Sequence, residues 1–465
     1  MRPVNPAIFR EYDIRGVAEK DFDAGFAWVL GRAYASYRHT LDPAPVRPGR
    51  FRIGVGRDCR VTSDGYAAAL RKGLRESGID VVDLGVCPTP LLYFSLFDLD
   101  LDGGIQVTGS HNPADQNGFK ICVGKTTVHG SQIQELRRRL ATEHFPTGNG
   151  QEEAVAIIPR YQQFLIRHFG SLARRISLVV DAGNATAGPV APPIFRAMGC
   201  TVDELHCTLD GRFPNHHPDP TVEANLRDLI ARVNALGAEI GIAFDGDADR
   251  LGVVDRNGRV VWGDELLILF SRDVLAARPG ATIVSEVKCS QRLFDDIAAR
   301  GGVPIMGRVG HSPIKAKMRE TGAALGGEMS GHMFFGDRYF GYDDGIYAAC
   351  RLLEILSRNG KRIDDLLADL PPAYATPEIR IDCPDAIKFA VAERARERFR
   401  GSYELVTVDG IRLRLPHGWG LIRASNTQPA LVLRVEADSP EALREYRAWL
   451  EDTVHVLRHE LEQTV

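Results

Sequence analysis

The chain has 465 residues, of which 44% are apolar and 25% are charged, and its formal net charge is -4. These are the proportions of a globular protein of about three or four domains, and the slightly acidic balance, with no basic run, excludes a typical nucleic-acid-binding protein. Apolar runs are short, as at residues 266–270, and the start lacks a signal-peptide pattern, so we expect no membrane span and a cytoplasmic protein.

Predicted strands and helices alternate along the middle of the chain. A helix is expected at residues 131–140, where Ser131 followed by Gln134 resembles a capping box. Three short apolar runs end at small or polar loops and are predicted strands: residues 176–180, 240–244 and 281–284. A further helical stretch is predicted at residues 223–236. This succession is typical of α/β domains, whose functional groups lie in loops after the carboxyl ends of strands.

The last part of the chain has a different pattern. Residues 411–415 alternate strictly between apolar and basic side chains, and residues 431–435 are a second predicted strand. Ser439 followed by Pro440 predicts the N-cap and the first residue of a helix. We therefore expect a small α+β domain here.

Breaks in composition mark the expected domain boundaries. Clusters of proline, glycine and polar residues occur at residues 146–150, 255–258 and 370–373. The predicted domains are an α/β domain at residues 1–153, a second at 154–258, a third at 259–371 and the α+β domain at 372–465.

Three aspartates at alternate positions follow the predicted strand 240–244: Asp245, Asp247 and Asp249. On a flat strand the outer two would stand about 13 Å apart, too far for one cation to reach both. Gly246 and Ala248 are small enough to let the segment curl. We therefore predict that the three carboxylates surround one Mg²⁺, which prefers oxygen ligands.

Of three other interpretations of this acidic loop, the EF-hand is excluded by its residues, and the other two are alternatives. An EF-hand would need glycine at Arg250 and glutamate at Arg256. A haloacid-phosphatase loop also begins with an aspartate after an apolar strand, but no threonine follows at the usual offset. An exposed acidic turn capped by Arg250 is the plain structural alternative.

Residues 108–113, which read TGSHNP, present one hydroxyl on what we expect to be a tight loop. Gly109 permits a close backbone approach, and Pro113 prevents continuation as a helix. A hydroxyl beside a divalent cation suits the transfer of a phosphoryl group, which makes Ser110 a candidate carrier. The alternative is a turn serine that bonds to its own backbone, and His111 could serve as a base or only as a hydrogen-bonding group.

Two further loops suit a sugar phosphate. In residues 327–332, Glu328 and Ser330 are suited to sugar hydroxyls, and His332 can move protons near neutral pH. The other loop combines one guanidinium with short donors suited to a phosphate dianion, and its residues are Arg423, Ser425, Asn426 and Thr427. Each alone could be an ordinary turn or hairpin. Because the four loops fall in four predicted domains, a shared site would be a cleft between domains.

Together these motifs resemble the α-D-phosphohexomutases, specifically the bacterial phosphomannomutase/phosphoglucomutase branch, over essentially the whole chain. The resemblance implies three related mixed-sheet α/β domains and a C-terminal α+β domain around a central cleft. It implies reversible transfer of phosphate between the 1 and 6 positions of mannose or glucose phosphate, through a phosphoserine enzyme and a hexose 1,6-bisphosphate. Ser110 would carry the phosphoryl group and share one Mg²⁺ per chain with Asp245, Asp247 and Asp249.

The resemblance also implies the remaining site residues. Arg250 follows the metal loop, and Lys120 and His332 are candidates either for moving protons or for only binding the phosphoryl group. The substrate-binding residues would be Tyr12, Arg15, Lys288, His311, Glu328, Ser330, Arg423, Ser425, Asn426 and Thr427. We expect a monomer whose partner is a small sugar phosphate.

Three alternative functions remain at this point. A phosphoglucosamine mutase would use the same mechanism, although Met329 between Glu328 and Ser330 is similar to the mannose and glucose enzymes, where glucosamine enzymes typically have glutamine. A sugar-phosphate-binding protein without turnover is the second. A phosphatase, which would release inorganic phosphate, is the third.

Overall fold

The computed structural model describes residues 5–41, 44–47, 49–142, 144–425 and 429–463. These residues form two compact units. Unit 1 comprises Met1–Gly263 and Ser330–Asp365, and unit 2 comprises Asp264–Met329 and Leu366–Val465. Within the described ranges, no helix is long and apolar enough to cross a membrane.

The first sheet lies in unit 1. Its strands and accompanying helices are β1 (Ile14–Val17), α1 (Ala24–His39), β2 (Arg52–Arg57), α2 (Ser63–Glu76), β3 (Asp80–Val86), α3 (Thr89–Asp98), β4 (Gly103–Val107), β5 (Gln116–Val123), β6 (Thr126–Thr127), α4 (Ser131–Thr142) and β7 (Glu152–Ala154). The strand order is β1-β5-β4-β2-β3-β7, with β6 beside β5. β2 is parallel to β3 and β4, whereas β4 is antiparallel to β5, so the sheet is mixed.

Helix α4 begins at Ser131 itself, so this serine is not the N-cap. The Gln134 amide donates to the carbonyl of Phe9 (3.4 Å). The predicted capping box is therefore wrong, because a tertiary contact takes the glutamine side chain away from the helix terminus.

The buried aromatic rings of the first sheet fix the position of β5. Phe119 on β5 packs against Phe22 and Phe26, with ring centroids 5.6 and 6.0 Å away. Offset aromatic packing of this kind adds to the burial of apolar area. Since β4 ends at Val107 and pairs with β5, the TGSHNP segment lies at the carboxyl end of β4.

The second sheet also belongs to unit 1. Its elements are α5 (Ile157–Phe169), β8 (Ser177–Asp181), α6 (Ala191–Ala197), β9 (Thr201–Leu205), α7 (Arg227–Leu236), β10 (Ile240–Phe244), β11 (Leu251–Asp255) and β12 (Val260–Val261). The order is β12-β11-β10-β8-β9. β10 is buried along its whole length between parallel β8 and antiparallel β11, which fixes where Asp245 emerges. A 3-10 turn, Glu223–Leu226, precedes α7, so the predicted helix is only partly α-helical.

The next segment is divided between the units. Its elements are α8 (Gly263–Ala277), β13 (Thr282–Glu286), α9 (Gln291–Ala299), β14 (Val303–Gly307), α10 (His311–Thr321), β15 (Leu325–Gly327), β16 (Met333–Phe335), α11 (Gly345–Asn359) and α12 (Ile363–Leu367). β13 is parallel to β14 and β15. The loops after β13 and β15 therefore leave the same edge of this sheet.

The C-terminal part of unit 2 contains β17 (Tyr374–Ala375), β18 (Ile379–Asp382), α13 (Lys388–Phe399), β19 (Leu405–Val406), β20 (Ile411–Leu415), β21 (Gly418–Ala424), β22 (Ala430–Ala437) and α14 (Pro440–Glu462). The sheet is antiparallel, in the order β17-β22-β21-β20-β19, with β18 also beside β22. Ser439 caps α14 by accepting from the amide of Ala442 (3.3 Å). The predicted strands and the predicted helix start in this part are confirmed.

Candidate active site

Ser110 lies on the loop after β4 with its side chain almost completely buried. Its backbone has φ 50°, in the left-handed region that non-glycine residues rarely adopt. The hydroxyl donates to Asp245 Oδ2 (3.0 Å) and lies 3.1 Å from His111 Nδ1. The hydroxyl therefore points at the acidic loop of the second sheet rather than at its own backbone.

The acidic loop curls because of its two small residues. Ala248 has φ 58°, and a Cβ at Gly246 would lie only 2.3 Å from the carbonyl oxygen of Ser110. Asp245, Asp247 and Asp249 are completely buried, and one oxygen from each lies within 4.8 Å of the others. The outer two aspartates are thus much closer than they would be on a flat strand, and the three carboxylates converge beside Ser110.

Lys120 compensates part of this negative charge. Its Nζ, which comes from β5, is 2.8 Å from Asp247 Oδ2 and also contacts Asp249 Oδ2. Burial opposes the charge of the ammonium, but Asp247 and Asp249 outweigh that effect and raise the pKa of Lys120. Burial and the other two carboxylates raise the pKa of Asp245. For Asp247, Lys120 outweighs burial and lowers the pKa.

The carboxylates fit a divalent cation. Among the described residues, Asp247 Oδ1 and Asp249 Oδ1 are buried without a hydrogen-bond partner. A buried carboxylate oxygen without a partner is costly, and oxygen ligands are those that Mg²⁺ prefers. Asp245, Asp247 and Asp249 are therefore the residues that would hold the ion.

Arg250 and His332 also contact the aspartates. Arg250 Nε donates to His332 Nε2 (3.1 Å), and the backbone amide of Arg250 donates to Asp245 Oδ1 (3.2 Å). His332 Nδ1 is 3.5 Å from Asp249 Oδ1 and 3.4 Å from Asp343 Oδ2. Because Nε2 accepts a hydrogen bond, the proton of a neutral imidazole lies on Nδ1, facing the two carboxylates.

Arg15 reaches the serine loop from β1. Its Nε donates to Asp13 Oδ2 (2.6 Å), and its Nη1 donates to Asn112 Oδ1 (3.1 Å). Burial disfavours the charge, but Asp13 and Asp247 outweigh it and raise the pKa of Arg15. Tyr12, which precedes β1, is half-buried. Arg15 thus adds a second cation to this part of unit 1.

In unit 2, Lys288 follows β13. Its Nζ is 3.3 Å from Glu378 Oε2 and 3.6 Å from Glu286 Oε1. Glu286 Oε1 also accepts from the amide of Met329 (3.0 Å), which fixes the loop after β15. Burial raises the pKa of Glu286 to about 7 against the opposing charge of Lys288.

Residues 309–311 connect the remaining candidates of unit 2. The amide of Gly310 donates to Glu328 Oε1 (2.7 Å), and His311 is the first residue of α10. The amide of Val309 donates to Asp409 Oδ2 (3.0 Å), and the same oxygen is 3.2 Å from Arg423 Nη2. Residues 309–311 thus fix Glu328 directly and Arg423 through Asp409.

The other members of the predicted phosphate loop are described only in part. The amide of Ser425 donates to the carbonyl of Ala430 (2.9 Å). Asn426 and Thr427 lie outside the described residues. Ser330, half-buried, belongs to unit 1 by its packing, although Glu328 belongs to unit 2.

Several side chains that contact the candidate site residues were not predicted from the sequence. Thr89 donates to Asp247 Oδ2 (2.5 Å), and Asp343 faces His332. Asp58 and Arg60 hydrogen-bond to backbone groups of the serine loop: Asp58 accepts from the amide of Gly109, and Arg60 donates to the carbonyl of Ser110. The charged residues Arg57, Asp58 and Arg60, at the end of a buried strand, could have indicated Asp58 and Arg60, whereas nothing local distinguishes Thr89.

Comparison with known proteins agrees with this arrangement. Models of the phosphoglucomutase/phosphomannomutase family match in four parts: alpha/beta/alpha domain I at residues 6–147, domain II at 160–258, domain III at 262–374 and the C-terminal domain at 378–452. A phosphomannomutase/phosphoglucomutase of Pseudomonas aeruginosa is 47% identical over 443 residues, which cover 95% of this chain and 94% of that protein.

The chain belongs to the phosphoglucomutase/phosphomannomutase family. A phosphoglucomutase of Neisseria gonorrhoeae is 41% identical over 466 residues, which cover 98% of this chain and 99% of that one. The crystal structure of a phosphoglucomutase/phosphomannomutase family protein from Burkholderia thailandensis superposes with a TM-score of 0.90, at 44% identity over 98% of both chains. Family membership confirms the predicted fold class, three α/β domains followed by a smaller C-terminal domain.

Proposed function

We propose that the protein is a phosphohexomutase that moves phosphate reversibly between the 1 and 6 positions of mannose or glucose phosphate. The observation that carries the proposal is the 3.0 Å hydrogen bond from the buried Ser110 hydroxyl to Asp245, within a cluster of aspartates and cations. The names of relatives that match nearly the whole chain support the same activity. Ser110 would donate its phosphoryl group to form a hexose 1,6-bisphosphate and recover the other phosphate from it.

Phosphorylated Ser110 and the aspartates Asp245, Asp247 and Asp249 would hold one Mg²⁺. The bound ion would reduce the repulsion between the phosphoryl oxygens and the carboxylates. Counting phosphoserine as about -2, the site with its ion has a charge near -3. Lys120, Arg15 and Arg250 contribute the positive charge that balances it within unit 1.

Lys120 and His332 are the candidates for moving the proton of the sugar hydroxyl. Lys120 keeps its proton between Asp247 and Asp249, so it neutralises the phosphoryl group first and can donate a proton only as those contacts open. His332 Nε2 accepts from Arg250, and that hydrogen bond must break before Nε2 can accept a proton. These contacts support a role for both residues in holding charge at the site before the substrate binds.

The remaining candidate residues would bind the sugar phosphate. Glu328 and Ser330 are assigned to the sugar hydroxyls. His311 follows Gly310, whose amide donates to Glu328, and Lys288 lies two residues after Glu286, which accepts from the amide of Met329. The non-transferring phosphate is assigned to Arg423, Ser425, Asn426 and Thr427. Tyr12 and Arg15 are also proposed to bind the substrate. The proposal also includes domain boundaries at residues 153, 258 and 371, a monomeric state and a cytoplasmic location.

A product assay tests the function against its rivals. The purified protein is incubated with Mg²⁺, a trace of glucose 1,6-bisphosphate and, in parallel, mannose 1-phosphate, glucose 1-phosphate or glucosamine 1-phosphate. We expect the 6-phosphate isomers of mannose and glucose, with little free phosphate. Inorganic phosphate as the main product would indicate a phosphatase, a faster reaction with glucosamine phosphate would indicate the alternative mutase, and binding without a product would contradict catalysis.

A further inference from the structure

The carbonyl groups of the serine loop converge on one buried side chain, that of Arg60. Its Nη2 donates to the carbonyls of Ser110 (2.7 Å) and Asn112 (2.6 Å), and its Nη1 donates to those of Pro113 (2.5 Å) and Gln116 (2.9 Å). Loops rarely turn so many carbonyl groups inward unless a donor satisfies them. The guanidinium therefore acts as the internal support of the loop.

Asp58 completes this support. Arg60 Nε donates to Asp58 Oδ2 (3.1 Å), so every nitrogen of the guanidinium is engaged, and the side chains are 0% and 2% exposed. Asp58 Oδ2 also accepts from Thr108 Oγ1 (2.8 Å) and the amide of Gly109 (3.2 Å). The pair thus holds amide, hydroxyl and carbonyl groups of the same loop, and Asp58 neutralises the buried arginine.

The surroundings leave the guanidinium little freedom. A Cβ at Gly109 would lie 2.6 Å from both Nε and Cζ of Arg60, so only glycine lets the backbone lie this close. On the second-sheet side, the ring of Phe213 lies 5.0 Å from Cζ. The arginine is therefore clamped between a glycine backbone and an aromatic ring, a geometry that a flexible ammonium cannot reproduce.

We propose that Arg60 is a positioning residue for phosphoryl transfer, setting the orientation of the Ser110 hydroxyl without touching the substrate. The inference rests on the proposed function. Arg60 bonds to the carbonyl of Ser110 itself, the residue whose φ of 50° is unfavourable and must be imposed by its surroundings. Loss of that bond lets Ser110 relax away from Asp245, and a misplacement of about 1 Å costs about 100-fold in rate.

Arg60→Lys tests the proposal, with Arg57→Lys as its matched control. Arg57, on β2, pairs with Asp64 (2.7 Å) and Asp83 (3.2 Å). We measure kcat and KM for glucose 1-phosphate, the rate at which glucose 1,6-bisphosphate phosphorylates Ser110 by intact mass, and folding by circular dichroism. In Arg60→Lys we expect kcat and the phosphorylation rate to fall about 100-fold, with KM changed by less than about threefold. Arg57→Lys should match the wild type.

Folded Arg60→Lys with kcat close to wild type would overturn the proposal, and so would an equal loss in Arg57→Lys. If Arg60→Lys does not fold, Gly109→Ala replaces it, since the new methyl would lie 2.6 Å from Nε and Cζ of Arg60 and 2.9 Å from the carbonyl oxygen of Gln116, an acceptor of Arg60, and so disturbs the Arg60 contacts while keeping the charge. Folded Gly109→Ala with wild-type kcat would then overturn it, and a kcat loss at constant KM would support it. Wild-type protein that neither turns over hexose phosphate nor accepts a phosphoryl group would contradict the proposed function instead.

Discussion

Replacing Lys120 by methionine isolates the charge balance of the acidic cluster. The ammonium is 3% exposed and contacts Asp247 and Asp249, whose side chains are completely buried. Methionine keeps most of the apolar stem and removes the charge, leaving buried carboxylates without their cation. Breaking a buried ion pair in this way costs about 3–5 kcal/mol. For a domain of this size each kcal/mol lowers Tm by about 2–4 °C, so we expect a loss of roughly 6–20 °C in the transition of the first domain.

Two conditions sharpen this test. Added Mg²⁺ should raise the Tm of Lys120→Met more than that of the wild type, because the ion replaces the missing positive charge. Since the pKa of Lys120 is raised in the folded protein, its stabilisation is complete below the unfolded pKa of about 10.4 and is lost only as pH rises through the folded value. The Lys120 ammonium therefore stays charged, and its own ionisation contributes no pH dependence to the Tm difference between about pH 6 and pH 9.

The assay is thermal unfolding followed by circular dichroism, with and without Mg²⁺. Lys125→Met is the control, because that lysine is 45% exposed and its ion pair with Asp100 is 3.9 Å long. A surface pair of this kind contributes at most about 1 kcal/mol. Equal melting of Lys120→Met and the wild type, or a Mg²⁺ effect no larger in the variant, would refute the reasoning.

Three other changes have defined outcomes. Asp247→Asn should weaken Mg²⁺ binding at least about 10-fold by titration calorimetry, and unaltered affinity would contradict the ligand set. Arg412 donates to the carbonyls of Val287 (2.7 Å) and Cys289 (2.8 Å), on both sides of Lys288, and so holds the segment that carries this proposed substrate-binding lysine. Arg412→Lys should therefore raise KM for hexose phosphate about 10-fold in steady-state kinetics, and an unchanged KM would contradict this. Burial raises the pKa of Glu286 to about 7, so the folded protein takes up a proton there and gains stability as pH falls from 8 to 6. Glu286→Gln should therefore show a smaller rise in stability than the wild type over this range, and an equal rise in both proteins would exclude a contribution from Glu286.

The sequence predicted those features of the site that depend on local geometry. Gly246 and Ala248 indicated a curled acidic loop, and the structure shows Ala248 at φ 58°. The predicted strand 240–244 placed the acidic loop at a carboxyl end, and the structure confirms that strand as β10. Small side chains and strand ends are local properties, and local rules describe them well.

Contacts between distant segments could not be predicted from pattern alone. Lys120 and Asp249 are 129 positions apart, and Arg60 and Ser110 are 50 apart. Their meeting depends on how the strands are ordered, which no short window of sequence contains. The capping box at Ser131 was wrong for the same reason, since a tertiary contact took Gln134.

The most direct measurement of the central claim is the location of the phosphoryl group. The purified protein is incubated with glucose 1,6-bisphosphate and Mg²⁺, its intact mass is recorded, and the modified peptide is sequenced by mass spectrometry. We predict one added phosphoryl group, located on Ser110, transferable to glucose 1-phosphate, and absent from an inactive Ser110→Ala protein. A phosphoryl group on another residue, or full mutase activity in Ser110→Ala, would contradict the account.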